Sequence, residues 1–238
     1  MFLYGKNSVL ERLRVNPTSI KEVVLQDNFN HKETEKLIRL NNIHVKRVSK
    51  QELFKIKKAS ERSQGIIAKA DEFKYASYED LLYDSKQKKT FIFLDSIFDP
   101  HNLGVIMRIS ACFGGFAICI PQHKACEVNE TVLHVASGAE NYVPVAIVGN
   151  ISNALRNAKK AGYWIAGTVV EEGSELTSDI FPFPLCLILG SEGKGISPGL
   201  QKLLDLKVSI PMQGANLSLN VATACSVFCY EITKQNKS

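Results

Sequence analysis

A chain of 238 residues, 45% apolar and 22% charged, has the length for one large or two modest domains and enough apolar side chains for a real core. No run approaches the ~18 apolar residues of a membrane span, and the opening Met1-Phe2-Leu3-Tyr4-Gly5-Lys6-Asn7 turns polar too early for a signal peptide, so a cytoplasmic location is expected. The formal charge of +5 is compatible with a polyanionic partner without demanding one.

Ser8 to Leu13 reads as a first helix and Glu22 to Leu25 as a strand. Residues 31–40 have helical period, and His44 to Val48 alternates as a strand does. Ser49-Lys50-Gln51-Glu52 has capping-box spacing, so a short helix starts there, and Gly65 to Ala68 closes the unit as a strand. Residues 1–72 therefore form a small α/β domain, and 73–89 a charged linker with a lead-in helix from Tyr78 to Tyr83. The second domain, 90–238, opens on strand 90–94 and then alternates: helix 102–113, strand 116–120, helix 129–136, strand 143–148, helix 151–161 and strand 163–167. Strand 185–189, helix 198–205, strand 207–210 and a helix from about 219 to 234 complete it. Its strands are almost wholly apolar, as in Leu185-Cys186-Leu187-Ile188-Leu189. That composition is expected where helices cover both faces of a parallel sheet, so the class is α/β.

Positive residues crowd the first 90 positions: Lys6, Arg12, Arg14, Lys21, Lys46-Arg47-Lys50, Lys55-Lys57-Lys58, Arg62 and Lys86-Lys88-Lys89. They suit a solvated surface as well as a nucleic-acid face. Among the six cysteines there is no Cys-x-x-Cys pair and no histidine at zinc-ligand spacing, so no metal is expected. Cys225 and Cys229, four apart in an apolar helical pattern, read as buried free thiols.

Polar residues interrupt the α/β pattern after three strands, where open α/β sheets hold their ligands. The first interruption is Leu94-Asp95-Ser96-Ile97-Phe98-Asp99-Pro100-His101-Asn102-Leu103-Gly104, with Arg108 following on the same helix. A helix N-terminus suits an anion and arginine suits phosphate; on its own, however, the segment fits equally well a helix cap and a surface ion-pair partner. The second is Leu189-Gly190-Ser191-Glu192-Gly193-Lys194-Gly195-Ile196-Ser197, whose glycines let backbone approach a ligand closely. It matches neither the P-loop nor the dinucleotide fingerprint, since Ile196 and Pro198 stand where those patterns need other residues. The third, Ile210-Pro211-Met212-Gln213-Gly214-Ala215-Asn216-Leu217-Ser218-Leu219-Asn220, leads into the last helix, where Ser218 and Asn220 could be capping residues alone. That helix is apolar nearly all round, which predicts burial on more than one side, by the core and by a second subunit.

In this order the three segments resemble the SpoU-type RNA ribose 2′-O-methyltransferases of the SPOUT superfamily. The matching residues are Asp99-Pro100-x-Asn102-Leu103-Gly104-x3-Arg108, then Leu189-Gly190-Ser191-Glu192-Gly193-x-Gly195, then Ile210-Pro211-Met212 with Ser218-Leu219-Asn220-Val221-Ala222. Ala222 stands where relatives often carry serine. Asn129-Glu130-Thr131-Val132, Ala136-Ser137-Gly138-Ala139-Glu140 and Val143-Pro144-Val145 are similar to the branch that modifies 23S ribosomal RNA at a guanosine. The N-terminal unit, with Tyr4-Gly5-Lys6-Asn7-Ser8-Val9-Leu10 and Gln64-Gly65-Ile66-Ile67-Ala68, resembles that branch's L30e-like substrate-binding domain.

The resemblance implies a C-terminal trefoil knot, a homodimer, RNA (23S ribosomal RNA) as partner and S-adenosylmethionine as cofactor. Thr168, Leu189, Gly190, Gly193, Ile210, Met212 and Leu219 would hold the cofactor. Arg108, Asn102, Glu192, Ser218 and Asn220 would form the catalytic shell. Arginine is a poor general base because it holds its proton, so Arg108 is read as clamping the adjacent phosphate and stabilising the developing alkoxide. A transfer-RNA ribose methyltransferase of the same family and a non-catalytic RNA-binding or ribosome-assembly module are the competing readings.

Overall fold

The computed structural model of the chain describes residues 1–56, 60–170, 172–176, 180–215 and 217–236. They divide into two compact units, residues 1–74 with 128–141 and residues 75–127 with 142–238.

In the first unit the chain runs β1 (Phe2–Tyr4), α1 (Lys6–Val15), β2 (Ile20–Gln26), α2 (Lys32–Leu40), β3 (Val45–Val48), α3 (Lys50–Ile56), α4 (Ser60–Ser63) and β4 (Ile66–Ala70). The sheet order is β1-β4-β2-β3, with β4 antiparallel to β1 and β2, and β3 parallel to β2. Val23, Val24 and Leu25 of β2 are consecutive and all buried, so the central part of this strand is covered on both faces, whereas Val9, Leu10 and Leu13 give α1 one apolar side. The capping box forms in full: the Glu52 amide donates to Ser49 Oγ at 3.2 Å and the Ser49 amide to Glu52 Oε2 at 3.0 Å. Strand β1 was not predicted, because three residues are too few to show a period.

Residues 128–141, expected in the second domain, pack with the first unit instead. Several contacts tie them there, among them the Phe2 amide donating to Glu130 at 2.7 Å, the His134 ring stacked on Tyr4, and a buried ion pair. Arg12 Nη2 lies 3.2 Å from Glu140 Oε1, with the two side chains 8% and 0% exposed. Burial pushes the Glu140 carboxyl above its usual range, against the pull of the Arg12 guanidinium. Arg12→Ala would leave that carboxyl buried without its charged partner, so unfolding by urea should show a loss of about 3 kcal/mol. An unchanged midpoint would refute it.

The second unit holds α5 (Tyr78–Leu82), β5 (Thr90–Leu94), α6 (Pro100–Phe113), β6 (Phe116–Pro121), β7 (Val145–Val148), α8 (Ile151–Lys160) and β8 (Trp164–Thr168). The intervening helix α7 (Glu130–Ala136) is the one that belongs to the first unit. Then come β9 (Ser174–Glu175), β10 (Leu185–Leu189), α9 (Pro198–Gln201), β11 (Leu206–Ser209) and α10 (Val221–Gln235). All seven strands are parallel, in the order β7-β6-β5-β10-β8-β11-β9. Phe91, Ile92, Phe93 and Leu94 are all buried, which explains why the strands lack polar alternation.

Helix α9 stops at Gln201 rather than 205. The chain turns there so that the Asp205 carboxylate can accept the Ile165 amide at 2.9 Å and meet Lys159 Nζ at 2.6 Å. The loop segments read from the sequence thus leave the C-terminal ends of β5, β10 and β11, with Thr168 ending β8 in the same layer.

Candidate active site

Asp99 caps α6, its carboxylate accepting the His101 amide at 3.0 Å, and Pro100 takes the first helical position. Asn102 is therefore not the cap, and its side chain is left available to the adjoining loops. Asn102 Nδ2 lies 3.3 Å from Glu192 Oε1, and Asn220 Nδ2 donates to Glu192 Oε1 at 2.6 Å and to Asn102 Oδ1 at 2.9 Å. Glu192 also lies 3.4 Å from the Val221 amide. One residue from each of the three polar segments thus meets in a single cluster, across 90 and 118 positions of sequence.

Asn220 does two jobs. Its Oδ1 caps α10 by accepting the Ala222 and Thr223 amides at 2.9 and 3.3 Å, and that contact orients Nδ2 toward Glu192. Capping and site-building were alternatives in the sequence; in the structure one side chain caps the helix and joins the cluster. Ser218 and Arg108 lie outside the cluster. Ser218 lines the neighbouring cavity. Arg108 is exposed on α6 and makes no hydrogen bond or ion pair with a described residue, so the ion-pair alternative finds no partner.

That cavity, about 320 Å³, opens where β8, β10 and β11 end and α10 begins. All seven residues named for cofactor binding, Thr168, Leu189, Gly190, Gly193, Ile210, Met212 and Leu219, line it, and so does Glu192. Thr168 Oγ1 donates to the Ile188 carbonyl at 3.2 Å, which ties the end of β8 to β10. The 190–197 loop folds back on itself through Ser191 and Gly195, whose amides and carbonyls pair at 2.9 and 3.2 Å. Val221, Ala224 and Phe228 of α10 complete the apolar wall.

Sequence reasoning missed Asp95. It follows the last residue of β5, is 8% exposed, and its Oδ2 accepts the Ser197 amide at 2.7 Å. A carboxylate next to an unbroken apolar strand was the available signal. On the first unit, Lys46 and Lys50 are exposed. Arg47 is occupied by the Asp27 carbonyl at 3.1 Å and by Glu35 at 3.1 Å, while Lys57 and Lys58 lie outside the described residues. Among the described residues no group of three or more metal-ligating side chains occurs.

Two family models match the chain. Residues 89–230 match the SpoU rRNA Methylase family, and residues 2–76 match the RNA 2′-O ribose methyltransferase substrate-binding family. The 23S rRNA (guanosine-2′-O-)-methyltransferase RlmB of Nitrosomonas europaea is 34% identical over 238 residues, covering 99% of this chain and 92% of that one. A Synechocystis protein described as an uncharacterized tRNA/rRNA methyltransferase is 39% identical over 175 residues, which are 72% of this chain and 46% of that one. Among solved structures, the SpoU methyltransferase AviRb of Streptomyces viridochromogenes, in complex with AdoMet, superposes with a TM-score of 0.80 at 19% identity, covering 100% of this chain and 90% of that one. An AdoMet-bound rRNA methyltransferase from Sinorhizobium meliloti gives 0.79 at 21% identity, covering 98% and 86%. At those identities the likeness is one of fold.

Proposed function

The chain belongs to the SpoU rRNA methylase family, and from that premise we propose that it transfers a methyl group from S-adenosylmethionine to the ribose 2′-hydroxyl of a guanosine in 23S ribosomal RNA. The observation that carries the reading is the 34% identity to a 23S rRNA guanosine methyltransferase along nearly the whole of both chains, N-terminal unit included.

The cavity fits the cofactor. Its volume lies within the ~300–1,000 Å³ of small-molecule sites, and its apolar walls suit a purine. The backbone amides of Ile210, Met212 and Leu219 make no hydrogen bond with a described residue and so are available to a ligand. When bound, S-adenosylmethionine supplies an electrophilic methyl on a sulfonium. The chain's own residues supply position and charge. Glu192, fixed by Asn102 and Asn220, places negative charge at the cavity wall. The Arg108 guanidinium, with no partner among the described residues, is available to hold an RNA phosphate and to stabilise oxyanion character at the attacking hydroxyl. Ser218, on the cavity wall, is the third polar group at hand for the ribose. A weakly acidic hydroxyl needs chiefly this alignment and charge stabilisation.

Three further parts of the reading have partial support. The trefoil knot is supported by β8 lying between β10 and β11, so that the chain leaving β10 must pass β8 before pairing with its other side. The homodimer is supported by α10: Val221, Cys225, Phe228, Cys229 and Ile232 face the core, while Tyr230 is 60% exposed with its ring against Phe113. The exposed Tyr230 ring is the part of this helix that a second copy would cover. A cytoplasmic location follows from the ribosomal substrate, and among the described residues no helix is long and apolar enough to cross a membrane.

The test is to incubate the purified protein and S-adenosylmethionine with ribosomal and transfer RNA from cells lacking its gene, then map 2′-O-methyl groups. One new 2′-O-methylguanosine in 23S rRNA is expected. Methylation of tRNA alone would replace this reading by the tRNA one, and methylation of neither would favour the binding-module reading.

A further inference from the structure

We infer that Asp95 is a positioning residue for S-adenosylmethionine binding, the buried carboxylate that holds the exit of the 190–197 loop. This inference rests on the cofactor reading above. Strand β5 ends at Leu94, and the Asp95 amide continues its pairing with β10 by donating to the Leu189 carbonyl at 2.9 Å. The backbone then reverses at Ser96, whose φ is +61°. The Asp95 side chain consequently turns inward, under the loop, rather than out to solvent.

A carboxylate that is 8% exposed requires partners. No cation supplies one: among the described residues Asp95 has no ion pair. Its contacts are the Ser197 amide, at 2.7 Å from Oδ2, and the Ser96 hydroxyl, at 3.2 Å from Oδ1. The shorter bond joins Asp95 to the last residue of the glycine loop, 102 positions away.

The loop is therefore fixed at three places. Gly190 lies against Gly195 and Ile196 at the entry, Ser191 and Gly195 bridge the middle, and Asp95 holds Ser197 at the exit. Ile196, just before the exit, is 2% exposed and presses on Gly167 of β8. Everything the loop offers depends on that exit staying in place, namely the cavity wall at Gly190 and Gly193 and the Glu192 carboxylate. Release of the Ser197 amide would leave the two strands intact and let the loop between them drift. The expected signature is a defect in cofactor binding rather than in folding.

Isosteres separate this role from a general structural one. In Asp95→Asn the amide oxygen can still accept the Ser197 amide, and the amide nitrogen can donate to the Ser96 hydroxyl. In Asp95→Ala both contacts vanish. Ser197→Pro removes the donor at a φ of −59° that suits proline, and its ring Cδ, set where the amide proton met Oδ2, also pushes the Asp95 carboxylate away.

The experiment measures S-adenosylmethionine affinity by calorimetry for the full chain and its three variants. Amide exchange over 190–197 is followed without cofactor, with RNA affinity as a control. Asp95→Ala and Ser197→Pro should each weaken cofactor binding by about tenfold or more and speed exchange in the loop, as loss of a charge-assisted bond implies. RNA affinity should stay level, and Asp95→Asn should remain within about threefold of the unaltered protein. Should Asp95→Ala fail to fold, Ser197→Pro and Asp95→Asn decide the matter. Cofactor affinities of the folded variants equal to the unaltered protein's would overturn the inference. So would a loss in Asp95→Ala that Asp95→Asn shares in full, since the charge and not the accepted amide would then be responsible. If the unaltered chain takes up no S-adenosylmethionine, the cofactor reading itself falls, and this inference with it.

Discussion

Replacing Arg108 by alanine should reduce kcat for RNA methylation about a thousandfold while leaving the Kd for S-adenosylmethionine within about twofold, as expected when a preorganised charge at a reacting oxyanion is removed. The split follows from position. Arg108 lines no part of the cavity, makes no hydrogen bond or ion pair with Glu192 or Asn220, and has no such partner among the described residues. Its loss leaves no buried carboxylate stranded, so the fold and the cofactor wall should survive. Lysine in its place keeps the charge but loses the planar fork that grips a phosphate at two points, so Arg108→Lys should recover only part of the rate. Single-turnover methylation at saturating cofactor, beside calorimetric titration of the same variants, provides the check. Near-normal turnover in Arg108→Ala would sink the assignment, and loss of cofactor binding would move Arg108 from the RNA side of the site to the cofactor side.

Much of this arrangement was legible in the sequence, for reasons that differ from element to element. The parallel sheet was readable because a strand buried on both faces cannot alternate, and Phe91 to Leu94 and Leu185 to Leu189 do not. The candidate site stood out because polar and glycine residues directly after such strands have few structural reasons to be there, and the three segments do converge. Strands β1 and β9 were not readable. With three and two residues, they exist only through their neighbours' edges. The end of α9 was missed because it is set by a contact between distant positions, Asp205 with Ile165 and Lys159, which local propensity does not contain. The placement of 128–141 was missed for the same reason, since Arg12 and Glu140 are 128 positions apart. Asn220 shows the limit from the other side. Its capping pattern was visible, but the fact that capping aims its other polar atom at Glu192 appears only in three dimensions.

The opposite phenotype to Arg108→Ala is expected from Gly190→Ala: cofactor affinity about a hundredfold weaker, with RNA affinity preserved. Here one methyl group decides. A Cβ at position 190 would fall on the backbone of Gly195 and Ile196, 2.5 Å from the Gly195 oxygen and nearer still to its carbonyl carbon. Backbone cannot rotate aside as a flexible side chain can, so the loop must open, and overpacking of this kind costs about 1–3 kcal/mol or more. Opening the loop breaks the Ser191–Gly195 pairing and displaces both the cavity wall and Glu192. Gly193→Ala is the discriminating control. Its φ of +82° is unfavourable for alanine, but nothing lies within 4 Å of the added Cβ. The cost there should be about 1 kcal/mol of backbone strain, less than a tenfold effect on affinity. Equal losses in the two variants would mean that the loop's positive φ, rather than its close self-packing, is what shapes the cavity. A Gly190→Ala protein that binds S-adenosylmethionine normally would show that the 190–197 loop is not its cradle.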